Sequence, residues 1–307
     1  MQTNTDESYH ANGKLLLSGE YLVMNGAKAL ALPLNKGQNL RIQKNDLQYL
    51  TWTASTIHGH WFKVCFNDAL EIVSTDNASL ANELAQILKH CLNSRPDIKE
   101  LITNKAIFTH LEFEEHWGWG SSSTLISLLA QCLGINPYLL LNDTFGGSGY
   151  DIACATSNTP LIYQLEEGAP IAKKINFNPN FASNIYFIYS GNKQSSKNEI
   201  KRFKQLKINQ GDITRISSIT EQMVKCQDML SFGQLMEEHE NIIAQNVQLN
   251  PVKNEHFNDF DGFIKTLGAW GGDFLMALSA QNEAYIKTYF KNKGLNTIFR
   301  FNDIKVS

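Results

Sequence analysis

Hydrophobic and polar positions along the chain predict short strands that alternate with longer helices. In Ser79–Leu92, the residues Leu80, Leu84 and Leu88 recur at helical spacing, which is typical of an amphipathic helix. Residues 38–66 place apolar residues among polar ones, as half-buried strands do. Further strands are predicted at Lys14–Leu17, Tyr21–Met24, Ala29–Leu32, Lys105–Phe113, Asn184–Tyr189 and Thr297–Phe301. Further helices are predicted at Leu125–Leu133, Pro137–Leu141, 261–267 and Tyr285–Lys291, and residues 212–247 are predicted to be mainly helical.

The same pattern suggests two domains. The chain has 307 residues, which is enough for about two domains of ordinary size. A new strand, NIYFIY, begins at Asn184, and a polar, basic stretch follows it. We therefore expect one domain over residues 1–180 and a second over 181–307.

Composition and charge argue against only a few classes of protein. A net charge of −3 gives no global electrostatic reason to bind nucleic acid or a membrane surface. The five cysteines are scattered and form no CxxC pair, so we expect reduced, buried thiols and no disulfide framework or zinc site. The polar start MQTNTDESYH predicts no secretory signal, and polar and turn residues interrupt the apolar stretch Thr124–Leu141. A cytoplasmic protein is expected.

The strongest candidate for chemistry is HWGWGSSST, where a predicted strand leads through glycines into a helix. Gly118 and Gly120 let a ligand approach the backbone, and Ser121–Ser123 add hydroxyl donors at the helix start. Free N–H groups and the helix dipole make such a turn an anion site. The alternative is that the serines only cap the helix. The segment lacks the GxxxxGK[ST] pattern of a Walker loop.

A second candidate, FGGSGYDIACAT, holds one carboxylate, Asp151, after three glycines. A group-transfer enzyme needs an acidic residue that orients an acceptor hydroxyl and takes its proton, and Asp151 suits that role. The alternative is that Asp151 caps the helix that follows.

Two weaker candidates flank these motifs. LGAWGGDFLMAL contains Gly268, Gly271 and Gly272 and forms either a backbone-lined surface or a plain tight turn. NGKLLLSGEYLVMNG contains Lys14, which could place positive charge near an anion, although a lone lysine is more often a solvated charge.

Taken in order, the four motifs resemble those of the GHMP kinases, the superfamily of galactokinase, homoserine kinase, mevalonate kinase and phosphomevalonate kinase. Asn12–Gly26 is similar to PGKLLLxGEHxVxxG, and Glu114–Ser123 is similar to PxxxGLGSSA, with Trp119 in place of leucine. GSGYD resembles the GSGxD segment of mevalonate-type members, and Gly268–Asp273 resembles GAGGGG. The resemblance spans residues 12 to 278.

The resemblance implies a fold, cofactors and roles. The implied fold is a two-domain α+β structure, with an N-terminal domain like ribosomal protein S5 domain 2 and a ferredoxin-like C-terminal domain. The implied cofactors are ATP and Mg²⁺, with Asp151 as catalytic base and Lys14 as its charged partner. The residues implied to bind ATP phosphates are Gly118, Trp119, Gly120, Ser121, Ser122 and Ser123, of which Ser122 also contacts Mg²⁺. The residues implied to bind the acceptor are Glu20, Ser148, Gly149, Lys193, Ser196, Gly271 and Gly272.

Departures from the family pattern bear on the acceptor. Leu140 stands where mevalonate kinase has a glutamate ligand of Mg²⁺, and phosphomevalonate kinases also tend to lack that glutamate. SGNKQSSKNEI resembles the basic, hydroxyl-rich loop of phosphomevalonate kinases, although its lysines could equally form a solvated face. Gly149–Ala153 reads GYDIA, as in a bacterial subgroup similar to mevalonate-pathway kinases.

The resemblance therefore implies an ATP-dependent kinase that phosphorylates an alcohol or phosphate acceptor, mevalonate or phosphomevalonate being favoured. The expected partners are a small-molecule substrate and ATP, with no nucleic acid or membrane, and the expected state is a monomer or homodimer. Two alternatives share the fold: a non-catalytic metabolite sensor and an ATP-dependent decarboxylase of the diphosphomevalonate type. A dinucleotide-binding oxidoreductase is disfavoured, because GWGSSS lacks the third glycine of GxGxxG and no βαβ repeat surrounds it.

Overall fold

The structure is a computed structural model that describes residues 7–47, 49–191, 206, 208–268 and 273–306. Its strands are β1 (Glu7–Ser18), β2 (Ala29–Lys44), β3 (Leu50–Thr56), β4 (Gly59–Phe66), β5 (Ile72–Thr75), β6 (Lys105–Leu111), β7 (Leu161–Glu166), β8 (Ala169–Lys174), β9 (Ile185–Tyr189), β10 (Phe263–Leu267), β11 (Phe274–Leu278) and β12 (Ile298–Arg300). Its helices are α1 (Ala78–Ser94), α2 (Ile98–Ile102), α3 (Ser121–Leu133), α4 (Pro137–Thr144), α5 (Tyr150–Ala155), α6 (Gln210–Lys225), α7 (Met229–Val247), α8 (Val252–His256), α9 (Glu283–Asn292) and α10 (Phe301–Ile304). Mixed α+β architecture is therefore confirmed.

The chain divides into two compact units, and each is built from three segments that are separate in sequence. The first unit comprises residues 1–13, 36–115 and 120–156, and the second comprises residues 14–35, 116–119 and 157–307. Both β1 and β2 contribute residues to each unit. The domain boundary predicted near residue 180 stays a prediction.

The first unit is a mixed sheet with helices packed on it. Strands follow the order β5-β4-β3-β6-β2, in which β3 and β6 run parallel and the other neighbours run antiparallel. In β3 buried and half-buried residues alternate, because successive side chains of a strand point to opposite faces. α1 turns Leu84, Leu88 and Cys91 inward, and α3 contacts both α4 and α5. This unit supplies the helix that begins at Ser121 and the helix that carries Asp151.

The second unit contains a smaller antiparallel sheet of order β10-β11-β9-β12. α7 packs against β10, and Phe257, Phe260, Ile264 and Phe290 belong to its apolar core. In the same unit the start of β2 pairs with β7, and β7 pairs with β8.

Two expected elements are wrong. Residues 261–267 form a turn and strand β10, not a helix, because β10 pairs with β11 from Phe263 to Leu267. Four consecutive residues of β10 are buried, and two of them, Lys265 and Thr266, are polar, so the sequence does not show the alternation of a half-buried strand. Tyr21–Met24 is not a strand, because a 3₁₀ turn occupies Leu22–Asn25. Tyr21 and Gly26 flank this turn at φ 60° and 90°, where the chain reverses.

No helix within the described ranges combines the length and apolar character that crossing a membrane requires.

Candidate active site

The glycine–serine loop Gly118–Ser123 leads directly into α3. Gly118 and Gly120 adopt left-handed backbone conformations, with φ of 67° and 93°. Gly120 is the N-cap of α3, and with no side chain it gives the helix no side-chain cap. A thirteen-residue helix whose first turn lacks such a cap presents N–H donors and its positive dipole end to a ligand. This backbone is of the kind that binds anions, and the anion site itself stays a prediction.

The three serines of the loop have different environments. Ser122 is exposed, and Ser121 is partly exposed. Ser123 is buried, and its hydroxyl donates to the Gly120 carbonyl at 2.9 Å. The next residue, Thr124, is also buried and donates to Gln38 Oε1 at 2.7 Å. Ser121 and Ser122 are thus the hydroxyls available to a ligand, whereas Ser123 stabilises the turn.

A small cavity of the first unit adjoins the start of α3. It has a volume of about 80 Å³, and Ser121, Ser122 and Leu125 line it together with two tryptophans. Trp52 is almost fully buried and donates to Thr109 Oγ1 at 3.2 Å, whereas Trp61 is partly exposed. Typical ligand pockets measure roughly 300–1,000 Å³, so this cavity accounts for only part of a ligand site.

Lys14 meets the same loop within the second unit. Its backbone N–H donates to the carbonyl of Trp119 at 3.0 Å, and its side chain is partly exposed. The Asn12–Gly26 motif and the glycine–serine loop are therefore joined by a main-chain hydrogen bond just before Gly120.

The Gly268–Asp273 motif and the residue after it contact the glycine–serine loop at two adjacent residues, Gly118 and Trp119. The carboxylate of Asp273 lies against Gly118: a Cβ atom placed on Gly118 would come within 2.1 Å of Asp273 Oδ2. Trp119 is fully buried and stacks on Phe274, with ring centroids 5.4 Å apart. Because the Trp119 side chain lies in the core, only its backbone is available to a ligand, and its predicted contact with ATP stays a prediction. Three of the four motifs thus converge at Gly118–Trp119.

The GSGYD motif contains Asp151 at the start of α5. Gly149 is the N-cap at φ 85°, and Asp151 lies in the first turn, where its Oδ1 accepts from the Ile152 amide at 3.0 Å. Asp151 and Ser148 are partly exposed, and Gly149 is buried. Burial, and then the charge of Asp151, raise the pKa of Tyr138. Asp151 therefore belongs to the helix start without being its N-cap, and part of its surface is open.

Glu20 lies in the interior of the second unit, in a cluster of buried polar side chains. Lys265 Nζ donates to Glu20 Oε1 at 2.5 Å and to the Thr266 carbonyl at 2.6 Å. His239 Nε2 accepts from the Gly19 amide at 2.9 Å and lies 3.1 Å from Glu20 Oε2. Glu20 and Lys265 are at most 3% exposed. The arrangement holds the turn after β1 against β10 and α7.

The cluster shifts the pKa values of its members in opposite directions. Burial alone would raise the pKa of Glu20, but the Lys265 ammonium outweighs burial and lowers this pKa to about 2. Burial is the main cause that lowers the pKa of His239. Burial raises the pKa of Glu240 to about 7, against the opposing effects of Lys265 and of Thr266, which donates to Glu240 Oε2. Glu20 is thus a charged anchor, and its predicted contact with the acceptor stays a prediction.

The remaining predicted residues lie outside the described part of the chain: Lys193, Ser196, Gly271 and Gly272. Leu140, at the position of the family glutamate, is buried at 2% exposure and offers no metal ligand. Sequence reasoning missed Asp273, Lys265 and His239. Asp273 ends the GAWGGD segment and could have been found there, but Lys265 and His239 carry no motif.

Comparisons with known proteins identify the fold. By sequence, no protein-family model matches the chain, and no curated protein matches it. By structure, it is similar to the L. major mevalonate kinase in complex with R-mevalonate, at TM-score 0.69 and 16% identity over 100% of this chain and 98% of that one. It is also similar to the Streptococcus pneumoniae phosphomevalonate kinase in complex with phosphomevalonate and AMPPNP, at TM-score 0.70 and 17% identity over 96% and 99%. The Lactococcus lactis galactokinase complexed with galactose matches at TM-score 0.65 and 12% identity over 98% and 93%. The predicted GHMP kinase fold is confirmed.

Proposed function

We propose that this protein is an ATP-dependent kinase that transfers the γ-phosphate to a small metabolite, with mevalonate or phosphomevalonate as the favoured acceptor. The observation that carries the proposal is the convergence of three motifs at Gly118–Trp119, directly before an uncapped helix. A backbone anion site in this position suits the phosphates of a nucleotide. The likeness to kinase structures supports the same reading, since one of those structures contains AMPPNP.

Mg²⁺ is the cofactor that this chemistry requires, and the available donors fit it. Mg²⁺ prefers hard oxygen ligands, typically one or two from the protein together with phosphate oxygens and water. The exposed hydroxyl of Ser122, at the start of α3, is a donor of that kind. When bound, Mg²⁺ would neutralise phosphate charge, and the protein would hold the nucleotide through backbone N–H groups.

Asp151 is proposed as the base and Lys14 as the cation that stabilises developing charge. A base needs an accessible carboxylate, and Asp151 is partly exposed at the start of a helix. Phosphoryl transfer depends mainly on positioning and electrostatics, so a single carboxylate that orients the hydroxyl suffices.

Replacing Asp151 tests the assignment. We expect Asp151→Asn to lower kcat by about 10²–10⁴-fold with ATP affinity nearly unchanged, because the amide cannot accept the proton. The matched control is Asp143→Asn, which alters an exposed aspartate of α4 in the same unit. Wild-type turnover by Asp151→Asn would refute the base assignment.

The acceptor is tested with a panel of mevalonate, phosphomevalonate and galactose. Release of ADP and the mass of the product are measured for each compound. A phosphorylated product supports the proposal and identifies the acceptor. Release of CO₂ would instead assign a decarboxylase, and ligand binding without ADP release across a broad alcohol panel would assign a sensor.

A further inference from the structure

A second cavity of the first unit lies on the sheet face opposite the start of α3. Trp52 of β3 lines the small cavity beside Ser121, whereas the next residue, Thr53, lines this one, and successive residues of a strand point to opposite faces. The cavity has a volume of about 560 Å³, within the range of small-molecule pockets. Its other lining residues include Arg41 of β2 and His110 of β6. It is therefore large enough for a ligand and separate from the cavity at the start of α3.

Arg41 supplies this cavity with a cation that has no acidic partner. Its guanidinium lies over the Phe108 ring, 5.2 Å from the ring centroid, and forms no ion pair with any residue that the structure describes. Arg41 is exposed, and a guanidinium can donate up to five N–H groups to phosphate or carboxylate oxygens. None of the described residues that line the cavity is acidic. In a protein of net charge −3, the cavity is thus a local site that attracts anions.

His110 lies on the strand beside Arg41 and on the same face of the sheet. Phe108 is the register partner of Arg41, and His110 is two residues further along β6, so Arg41 and His110 are diagonal neighbours about 7–8 Å apart. Ser55 Oγ donates to the Thr109 carbonyl at 3.2 Å and lies 3.0 Å from His110 Nδ1. Because that hydroxyl proton is already used, His110 Nδ1 is the donor to Ser55. His110 Nε2 has no hydrogen-bond partner among the described residues, and a protonated ring donates from it to an anion.

A carboxylate close to the cavity is already satisfied by other donors. Asn39, which lines the cavity, donates from Nδ2 to Glu112 Oε1 at 2.8 Å. Its Oδ1 therefore faces His10 Nδ1, at 3.0 Å. The second oxygen of Glu112, Oε2, accepts from the Gly37 amide at 2.8 Å. Both oxygens of Glu112 thus have donors, and Glu112 is not part of the cavity wall, so it does not compete for the cationic groups there.

We propose that this cavity binds a small polyanion whose phosphate or carboxylate oxygens are held by the Arg41 guanidinium and the His110 ring. The guanidinium fork matches the geometry of both kinds of group. The two side chains extend from neighbouring strands, so one ligand of this size can contact both. The site does not involve the glycine–serine loop, and the proposal does not depend on the proposed kinase function. The alternative is a solvated basic surface without a ligand.

Titration with pyrophosphate and with citrate, followed by NMR of the histidine rings, tests the proposal. The signals of His10 and His110 are assigned with His10→Gln and His110→Gln, and no divalent cation is added. At about pH 6, where histidine is largely protonated, we expect saturable shifts of the His110 ring with at least one probe. Tighter binding of pyrophosphate would identify phosphate as the preferred group, and tighter binding of citrate would identify carboxylate.

Substitutions in the cavity wall locate the site. Arg41→Gln should weaken binding by roughly 10–100-fold in a calorimetric titration, because it removes charge-assisted hydrogen bonds. His110→Gln should also weaken binding, by about 10-fold. The matched control is Lys44→Gln, which removes one positive charge from the exposed end of the same strand as Arg41, outside the cavity wall, and it should keep the wild-type affinity. All three side chains are exposed, and an unchanged unfolding midpoint confirms that each variant folds.

Three results would overturn the proposal. The first is the absence of saturable shifts with both probes up to about 10 mM. The second is unchanged affinity in both Arg41→Gln and His110→Gln, which would place the anion elsewhere on the protein. The third is an equal loss in Lys44→Gln, which would reduce the effect to overall charge. Binding as expected in a protein that phosphorylates no acceptor would support the site while the proposed function fails.

Discussion

The interiors of the two units differ in chemistry. The first unit packs α1 and α3 on its sheet through apolar side chains such as Val64, Leu88 and Ile126, all fully buried. The second unit contains a buried cluster of four titratable residues, none more than 3% exposed: Glu20, His239, Glu240 and Lys265. Buried charges are costly unless they are paired and hydrogen-bonded, and apolar packing often gives equal stability. The difference indicates that the second interior is organised to hold particular backbone segments in place.

Those segments belong to the proposed active site. Gly19 and Glu20 lie within the Asn12–Gly26 motif, and Lys265 and Thr266 lie just before the LGAWGGDFLMAL motif. The cluster links them through the Glu20–Lys265 ion pair and the Gly19–His239 hydrogen bond. We infer that its main effect is to position the Asn12–Gly26 motif and the start of the LGAWGGDFLMAL motif, with stability as a secondary result.

Removing the buried cation should have the largest effect. Lys265→Met leaves the Glu20 carboxylate buried without its ammonium partner, which typically costs about 3–5 kcal/mol in free energy of unfolding. Urea unfolding measures the loss. The double variant Glu20→Gln/Lys265→Met removes both charges and should recover part of the stability. A loss below about 1 kcal/mol in Lys265→Met would contradict a tightly coupled pair.

The pH dependence of stability should be the next largest effect. The pKa of Glu240 is raised from 4.5 to about 7 in the folded protein, so the folded state binds the proton more tightly than the unfolded state. Stability from this group is therefore complete below pH about 4.5 and declines as pH rises to about 7, by about 3 kcal/mol. Urea unfolding at pH 5 and pH 8 measures this decline in the wild type. Glu240→Gln cannot titrate and should lose that part of the slope.

Glu20 contributes to stability over a different pH range. Its pKa is lowered from 4.5 to about 2, so its contribution is present above pH about 4.5 and is lost as pH falls toward 2. The two glutamates therefore affect separate pH windows. An equal slope between pH 5 and 8 in wild type and Glu240→Gln would rule out the assignment to Glu240.

A substitution in the apolar interior of the first unit should have the smallest effect on stability, and that effect should not depend on pH. Ile87→Val in α1 removes one methyl group from the first unit and should cost about 0.5–1.5 kcal/mol. Its cost should be equal at pH 5 and pH 8, since Val64, Leu88 and their apolar neighbours do not titrate. A cost that changes with pH would show that the comparison between the two interiors fails.

The sequence predicted local features well and long-range pairings poorly. The glycines at 118, 120 and 149 adopt the left-handed conformations that suit their turns, because local backbone needs are visible in residue type. Glu20 and Lys265 are 245 residues apart, and no local pattern links them. Asp273 was visible as the end of a glycine-rich segment, but its contact with Gly118 depends on the fold. Strand β10 was misjudged because it is buried on both faces and shows no alternation.

The indole pair at Trp117 and Trp119 gives the molecule an intrinsic optical reporter. Their ring centroids are 4.8 Å apart and their planes meet at 67°, an arrangement that couples their electronic transitions. Trp119 is fully buried between Gly118 and Gly120, against Phe274. The near-ultraviolet circular dichroism of this coupled pair therefore depends on the geometry of the turn. Its contribution is separated from that of the other three tryptophans by comparison with a Trp117→Phe variant.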